Sequence, residues 1–207
     1  DYVVVKIPRW TFEKFPRADA RLTIQMKSVG EAMAIGRTFT EALGKAIRSL
    51  EIGRDGLDDG RGPLPPEELL RKLEEPTAER LFHLGRAFRA GMTVEEAAAR
   101  TRIDPWFLDG LRRMVEAEDA FAGRAVSAVT AEELRAAKRL GLSDGALARR
   151  MEYAEQAVRD RRGELGVVPV YKTIDTCAAE FEAETPYFYS TYEAENESIR
   201  TSRRKVV

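Results

Sequence analysis

Between residues 66 and 165 the chain repeats the signals that start and stop an α-helix, at intervals too short for any long helix. Thr93 and Thr130 are each followed three positions later by a glutamate, Glu96 and Glu133. That is the spacing of a capping box, in which hydroxyl and carboxylate each satisfy a free backbone N–H at the helix start. Asp104 before Pro105 is another start signal, because proline at the first helical position loses no hydrogen bond. Gly91 and Gly141 stand where helices end in a left-handed residue. Thr77 is read as a further cap. Apolar residues recur at helical spacing between these signals: Leu69, Leu70 and Leu73; Leu81, Leu84 and Phe88; Phe107, Leu108, Leu111 and Val115; Leu134, Ala137 and Leu140. Helices this short are marginal alone and must bury their stripes against one another. A mainly α, compact body is the expectation.

The flanks read differently. Val3, Val5 and Ile7 alternate with Val4 and Lys6, and residues 29–35 form a second strand-like run closed by Gly36. Thr38 or Thr40 can cap a helix with Leu43, Ala46, Ile47 and Leu50 on one face. Two strands and one helix cannot bury both their faces, so residues 1–53 are expected to need a sheet that the chain does not contain. Residues 54–66, rich in Gly, Pro and Asp, read as a connector and a domain boundary. Beyond 167 the pattern is extended again, with an aromatic run over 185–192. The chain opens within a strand-like run without Met and stops at Lys205, Val206 and Val207, as another begins. It is therefore read as an interior piece of a longer protein.

There is a weak internal echo. AFRAGMT at 87–93 matches AKRLGLS at 137–143, an offset of 50, and Ala98 with Arg100 matches Ala148 with Arg150. Two similar helical subdomains would produce this, and so would common helix-ending chemistry.

Charge narrows the function classes. Basic and acidic residues number 34 and 35 and are interleaved, so no basic field favours avid nucleic-acid binding. No apolar run approaches the roughly 20 residues that span a bilayer. Cys177 is the single cysteine, which excludes an internal disulfide and a thiolate metal cluster and makes a reducing cytoplasm the expected setting. The segment 140–151 followed by Gln156, Arg159 and Arg162 looks like a helix-turn-helix, and a DNA-binding regulator is the alternative reading. The charge balance favours ordinary packing of short helices instead. His83, the only histidine, is expected to be a surface or partly packed imidazole, not a metal ligand. Tyr187, Phe188, Tyr189 and Tyr192 are expected to dock against a neighbouring domain. Gly56, Gly60 and Gly62 are interspersed with aspartates, which would repel phosphate. No catalytic, cofactor-binding or metal-binding residue is assigned.

Three blocks in order resemble the large subunit of glutamine-hydrolysing carbamoyl-phosphate synthases: DYVVVKIPRWTFEKF at 1–15, TIQMKSVGEAMAIGRT at 23–38, and VYKTIDTCAAEF at 170–181 with YSTYE at 189–193. Between them AFRAG at 87–91 and IDPWFL at 103–108 resemble the family's helical middle. The resemblance implies that residues 1–53 end the first ATP-grasp domain, which makes carboxyphosphate. It implies that 54–195 are the helical oligomerisation (connection) domain with its exit segment, and that 196–207 lead into the second synthetase half. It also implies a parent ligase that makes carbamoyl phosphate for pyrimidine and arginine biosynthesis. That parent would use ATP with Mg²⁺ or Mn²⁺, and K⁺, none of them bound by this segment. Implied partners are the flanking ATP-grasp domains, a glutaminase small subunit and further copies of the chain, with no nucleic acid and no membrane. Leu64, Leu69, Leu70 and Leu73, at the domain's edge beside the connector, are the candidate self-association surface.

Overall fold

The computed structural model describes residues 2–58, 60, 62, 64–177, 180–181 and 187–198. Strands β1 (Val3–Trp10) and β2 (Ser28–Gly36) form an antiparallel pair, with Val3 opposite Gly36 and Arg9 opposite Gly30. Helix α1 (Phe39–Ser49) follows, its N-cap Thr38 accepting from the Glu41 N–H. Seven more helices make the body: α2 (Pro66–Glu74), α3 (Arg80–Arg89), α4 (Val94–Thr101), α5 (Pro105–Asp119), α6 (Ala131–Arg139), α7 (Asp144–Met151) and α8 (Glu155–Glu164). A second antiparallel pair, β3 (Val170–Ile174) and β4 (Tyr187–Thr191), lies beyond it. The mainly helical expectation holds. The expected strand at 205–207, the link at 196–207 beyond Ser198, and Thr185 and Pro186 of the aromatic run lie outside the described residues.

Both capping boxes form, at Thr93 with Glu96 and at Thr130 with Glu133, and Asp104 caps α5. Thr77 does not cap α3. Its neighbourhood is engaged in a bridge to Arg21, and the helix starts at Arg80 after Glu79. The α5 stripe also needs one correction. Leu108, Leu111 and Val115 are buried, whereas Phe107 stands exposed at the helix start in an aromatic group with Phe39 and Trp106.

The core runs from α1 to α8 without a break. Leu43 and Ile47 of α1 join Leu73, Leu84, Leu108, Met114, Leu134, Leu147 and Val158 in one apolar cluster. Helix α1 therefore packs on two sides, against β1 and β2 and against α5 and α6. Glycine makes this possible: a Cβ at Gly141 would lie 2.5 Å from the Thr40 carbonyl oxygen. The strands conform in part to the reading of a segment short of sheet partners. They pair with each other and are backed by α1, yet Val4, Val29 and Met33 remain exposed.

The connector is strapped to the body over 54–58. Leu57 is buried, and it crosses α3 so closely that a Cβ at Gly85 would sit 2.7 Å from its carbonyl oxygen. The Arg54 guanidinium lies 3.9 Å from the Phe82 ring centre and 2.6 Å from Glu79.

The echo at an offset of 50 has a structural counterpart. Gly91 and Gly141 both adopt φ 88°. Gly91 donates to Phe88 and Met92 to Ala87, each at 3.0 Å; Gly141 donates to Lys138 at 3.0 Å and Leu142 to Ala137 at 3.2 Å. Thr93 and Ser143 then cap α4 and α7. The α3–α4–α5 unit and the α6–α7–α8 unit thus share the same turns at the same spacing.

Candidate functional site

The four leucines proposed for self-association divide into two pairs. Leu69 and Leu73 of α2 are buried within the chain's own core, because the helix needs that stripe to hold it to α3 and α4. Leu73 is wholly inside, and Leu69 reaches the groove beside α2 only at its floor. Leu64 and Leu70 are half-buried and line an open groove of about 980 Å³ shared with Ala90, Met92 and Ala99. The Arg100–Glu74 ion pair, 2.8 Å, lies beside it.

The helix-turn-helix look-alike has its basic groups occupied. Arg159 bonds Glu155 at 2.7 Å and Gln156 bonds Asp160 at 2.7 Å, each within α8. Arg162 turns inward, reaching Asp144 at 3.1 Å and the Val167 carbonyl at 2.9 Å. What remains is not a face that could read a DNA groove.

His83 is buried in α3, deeper than the surface or partly packed position expected of it. Cys177 is half-buried beside Thr176. Among the aromatic residues of the exit segment, Tyr187 and Phe188 are exposed while Tyr189 is buried. Among the described residues, no group of three or more His, Cys, Asp or Glu is placed to hold a metal ion. No described helix is long and apolar enough to cross a membrane.

The exit segment is held by a polar hub that the sequence did not announce. On α1, Glu41 accepts from the Arg37 N–H at 2.7 Å and from the Thr191 hydroxyl at 3.0 Å. Lys45 bonds the Ile35 carbonyl at 2.8 Å and reaches the Ser190 carbonyl as well. Arg139 bonds the Tyr192 carbonyl at 3.0 Å. Below these contacts Asp144, at the start of α7, takes both Lys138 at 3.0 Å and Arg162 at 3.1 Å. Burial pushes the Asp144 carboxyl up, and the Lys138 and Arg162 charges more than reverse it, so the group lies below the usual carboxylate range. Burial holds the Lys138 ammonium below its ordinary value, with Asp144 opposing. The Tyr192 ring receives both cations, Lys138 at 5.3 Å and Arg162 at 5.9 Å from its centre. The contacts to Thr191, Ser190 and Tyr192 join residues 150, 145 and 53 positions apart, and no local spacing rule predicts them.

The helical body from β2 to α8 coincides with a known family. The sequence model for the carbamoyl-phosphate synthetase large chain, oligomerisation domain, matches residues 31–166. The chain belongs to the carbamoyl-phosphate synthase large-chain family.

Relatives agree along its whole length. The carbamoyl phosphate synthase large chain of Xanthomonas campestris is 52% identical over 211 residues, that of Archaeoglobus fulgidus 52% over 213, and that of Nostoc 52% over 209; each match covers 100% of this chain. The chain spans 19–20% of the length of these relatives. The family match begins inside β2 and takes in α1. Nothing in it supports the DNA-binding alternative.

Proposed function

We propose that this carbamoyl-phosphate synthase segment joins the two synthetase halves of a longer large chain and mediates its self-association. The parent would make carbamoyl phosphate from bicarbonate, glutamine-derived ammonia and two ATP. It would do so in the cytoplasm, for pyrimidine and arginine biosynthesis. The flanking ATP-grasp domains and a glutaminase small subunit are its proposed partners. Phosphoryl transfer needs carboxylate-held Mg²⁺ or Mn²⁺ and cations on the phosphates. The ATP, the divalent ion and K⁺ are proposed to bind in the flanking synthetase halves, as the family resemblance implies.

The observation that carries the reading is the match of residues 31–166 to the family's oligomerisation domain. The groove beside α2 is the favoured interface. It has apolar walls at Leu64 and Leu70, side chains that the core leaves half-exposed, and a charged pair beside it. The test is Leu70→Glu, followed by sedimentation and circular dichroism on one sample. The expected result is a shift toward monomer with the helical signal kept. An oligomer unchanged by the substitution removes this groove from the reading. A chain that is monomeric before any substitution removes self-association through this segment.

A further inference from the structure

A partly open polar cavity of about 310 Å³ lies where α1, the α6–α7 turn, the start of α8 and the exit segment after β4 meet. Charged side chains line it, and most of them pair off. Lys45 faces Glu41 at 3.0 Å, Lys138 faces Asp144 at 3.0 Å, and Arg159 faces Glu155 at 2.7 Å. Arg48 is the exception. Its only hydrogen bond among the described residues is to a neutral acceptor, the Gly141 carbonyl at 3.1 Å, and no described carboxylate forms an ion pair with it. A guanidinium offers five N–H donors, so most of its capacity is left for a further acceptor.

Two further features raise the positive potential there. Asp144 is shared between Lys138 and Arg162, so a single carboxylate serves two cations. Lys138 is itself only 7% exposed, and Arg48 is among the charges that disfavour its protonated form. Burial likewise disfavours the charged Arg48. The carboxylates that line the same cavity, Glu41, Asp144 and Glu155, are each engaged with a lysine or arginine, so Arg48 is the cation left for an added anion. The remaining cavity wall includes Tyr192, whose hydroxyl can donate to such an anion.

The geometry points to a binding site for a small oxyanion, a phosphate or carboxylate group held by Arg48 and Lys138 with Tyr192 beside them. The planar fork of Arg48 suits two oxygens of one such group, and Lys138 supplies a point charge to the third side. A volume of about 310 Å³ admits inorganic phosphate or a short carboxylic acid. The site ties α1 to the α6–α7 turn and to the exit segment, so its occupancy would stiffen the path from the β1–β2 pair to β4.

The probe is inorganic phosphate, with acetate and bicarbonate as separate arms and sodium chloride at matched ionic strength as reference. Arginine modification by phenylglyoxal at constant pH, mapped by mass spectrometry, reads Arg48 directly. Exposed Arg71 is the internal control. At ten times the dissociation constant, modification of Arg48 should slow about tenfold while Arg71 is unaffected. Calorimetry should give one site per chain, lost in Arg48→Gln with circular dichroism unchanged. Protection by phosphate alone assigns a phosphoryl ligand, and protection by acetate or bicarbonate assigns a carboxylate. Modification of Arg48 that no oxyanion slows beyond chloride overturns the site. So does calorimetric binding that a folded Arg48→Gln chain retains. Should Arg48→Gln not fold, the labelling of the unaltered chain decides.

Discussion

Arg102 and Glu152 stand 50 positions apart and follow α4 and α7 in the same left-handed conformation, at φ 60° and 62°. Both are exposed, and a side chain in this region costs about 1–2 kcal/mol relative to glycine. Arg102→Gly and Glu152→Gly should therefore each leave the chain as stable or up to about 1 kcal/mol more stable, since glycine also gains unfolded-state entropy. Urea denaturation checks this. A loss above 1 kcal/mol in either would show that the side chain makes a contact worth more than the strain.

The equivalent glycines should respond differently. Gly91 and Gly141 share φ 88°, but a Cβ at Gly91 meets nothing within 4 Å, while one at Gly141 would lie 2.5 Å from the Thr40 carbonyl oxygen. Gly91→Ala should cost only the backbone strain, about 1–2 kcal/mol. Gly141→Ala should cost that plus the displacement of α1, about 3–5 kcal/mol together. Equal losses in the two variants would mean that α1 does not rest on the α6–α7 turn in solution.

Asp144 is the only carboxylate in direct contact with both Lys138 and Arg162 among the described residues. Asp144→Ala should leave two largely buried cations uncompensated and cost about 3–5 kcal/mol. Asp144→Asn should cost nearly as much, because the charge matters more than the shape. A loss below 1 kcal/mol for Asp144→Asn, by chemical denaturation at pH 7, would show the cluster to be solvated.

Glu118 of α5 predicts a pH dependence. Burial raises its carboxyl from 4.5 to about 7, Arg89 opposes this, and Asp58 adds to it, with Arg150 and Arg149 opposing from α7. One of its oxygens is buried without a hydrogen-bond partner, where Gly56 of the connector closes over it. The folded chain thus holds this proton more tightly than the unfolded chain. Its contribution to stability is full below pH 4.5 and is lost as pH rises through about 7. The difference amounts to about 3 kcal/mol. Glu118→Gln should flatten the fall in stability between pH 5 and 7.5, as followed by urea midpoints. A slope of the same size in Glu118→Gln would assign the effect to other groups.

The legibility of this fold in its sequence follows the range of each interaction. The capping boxes at Thr93 and Thr130, the Asp104 cap, the strand at Ser28–Gly36 and the α1 stripe of Leu43 and Ile47 were all readable, because each rests on neighbours a few residues apart. Thr77 misled, since a threonine can cap or bridge, and Arg21 decided for the bridge. The α2 leucines were recognised as an apolar stripe, but the stripe cannot state what it faces. Packing placed Leu69 and Leu73 inward and left Leu64 and Leu70 at the groove.

By itself the sequence determined most of the helix ends, the first two strands, the near-balance of charge and the family. These depend on local backbone hydrogen bonding and on residue order. Only the tertiary structure decided that α1 links the β1–β2 pair to the helical core and that Arg162 serves Asp144 instead of a DNA groove. It alone left Arg48 at a cavity with no ion pair to a described carboxylate. Electrostatic partners are chosen by distance in space, and burial sets the strength of each pairing. Neither quantity exists until the helices have packed.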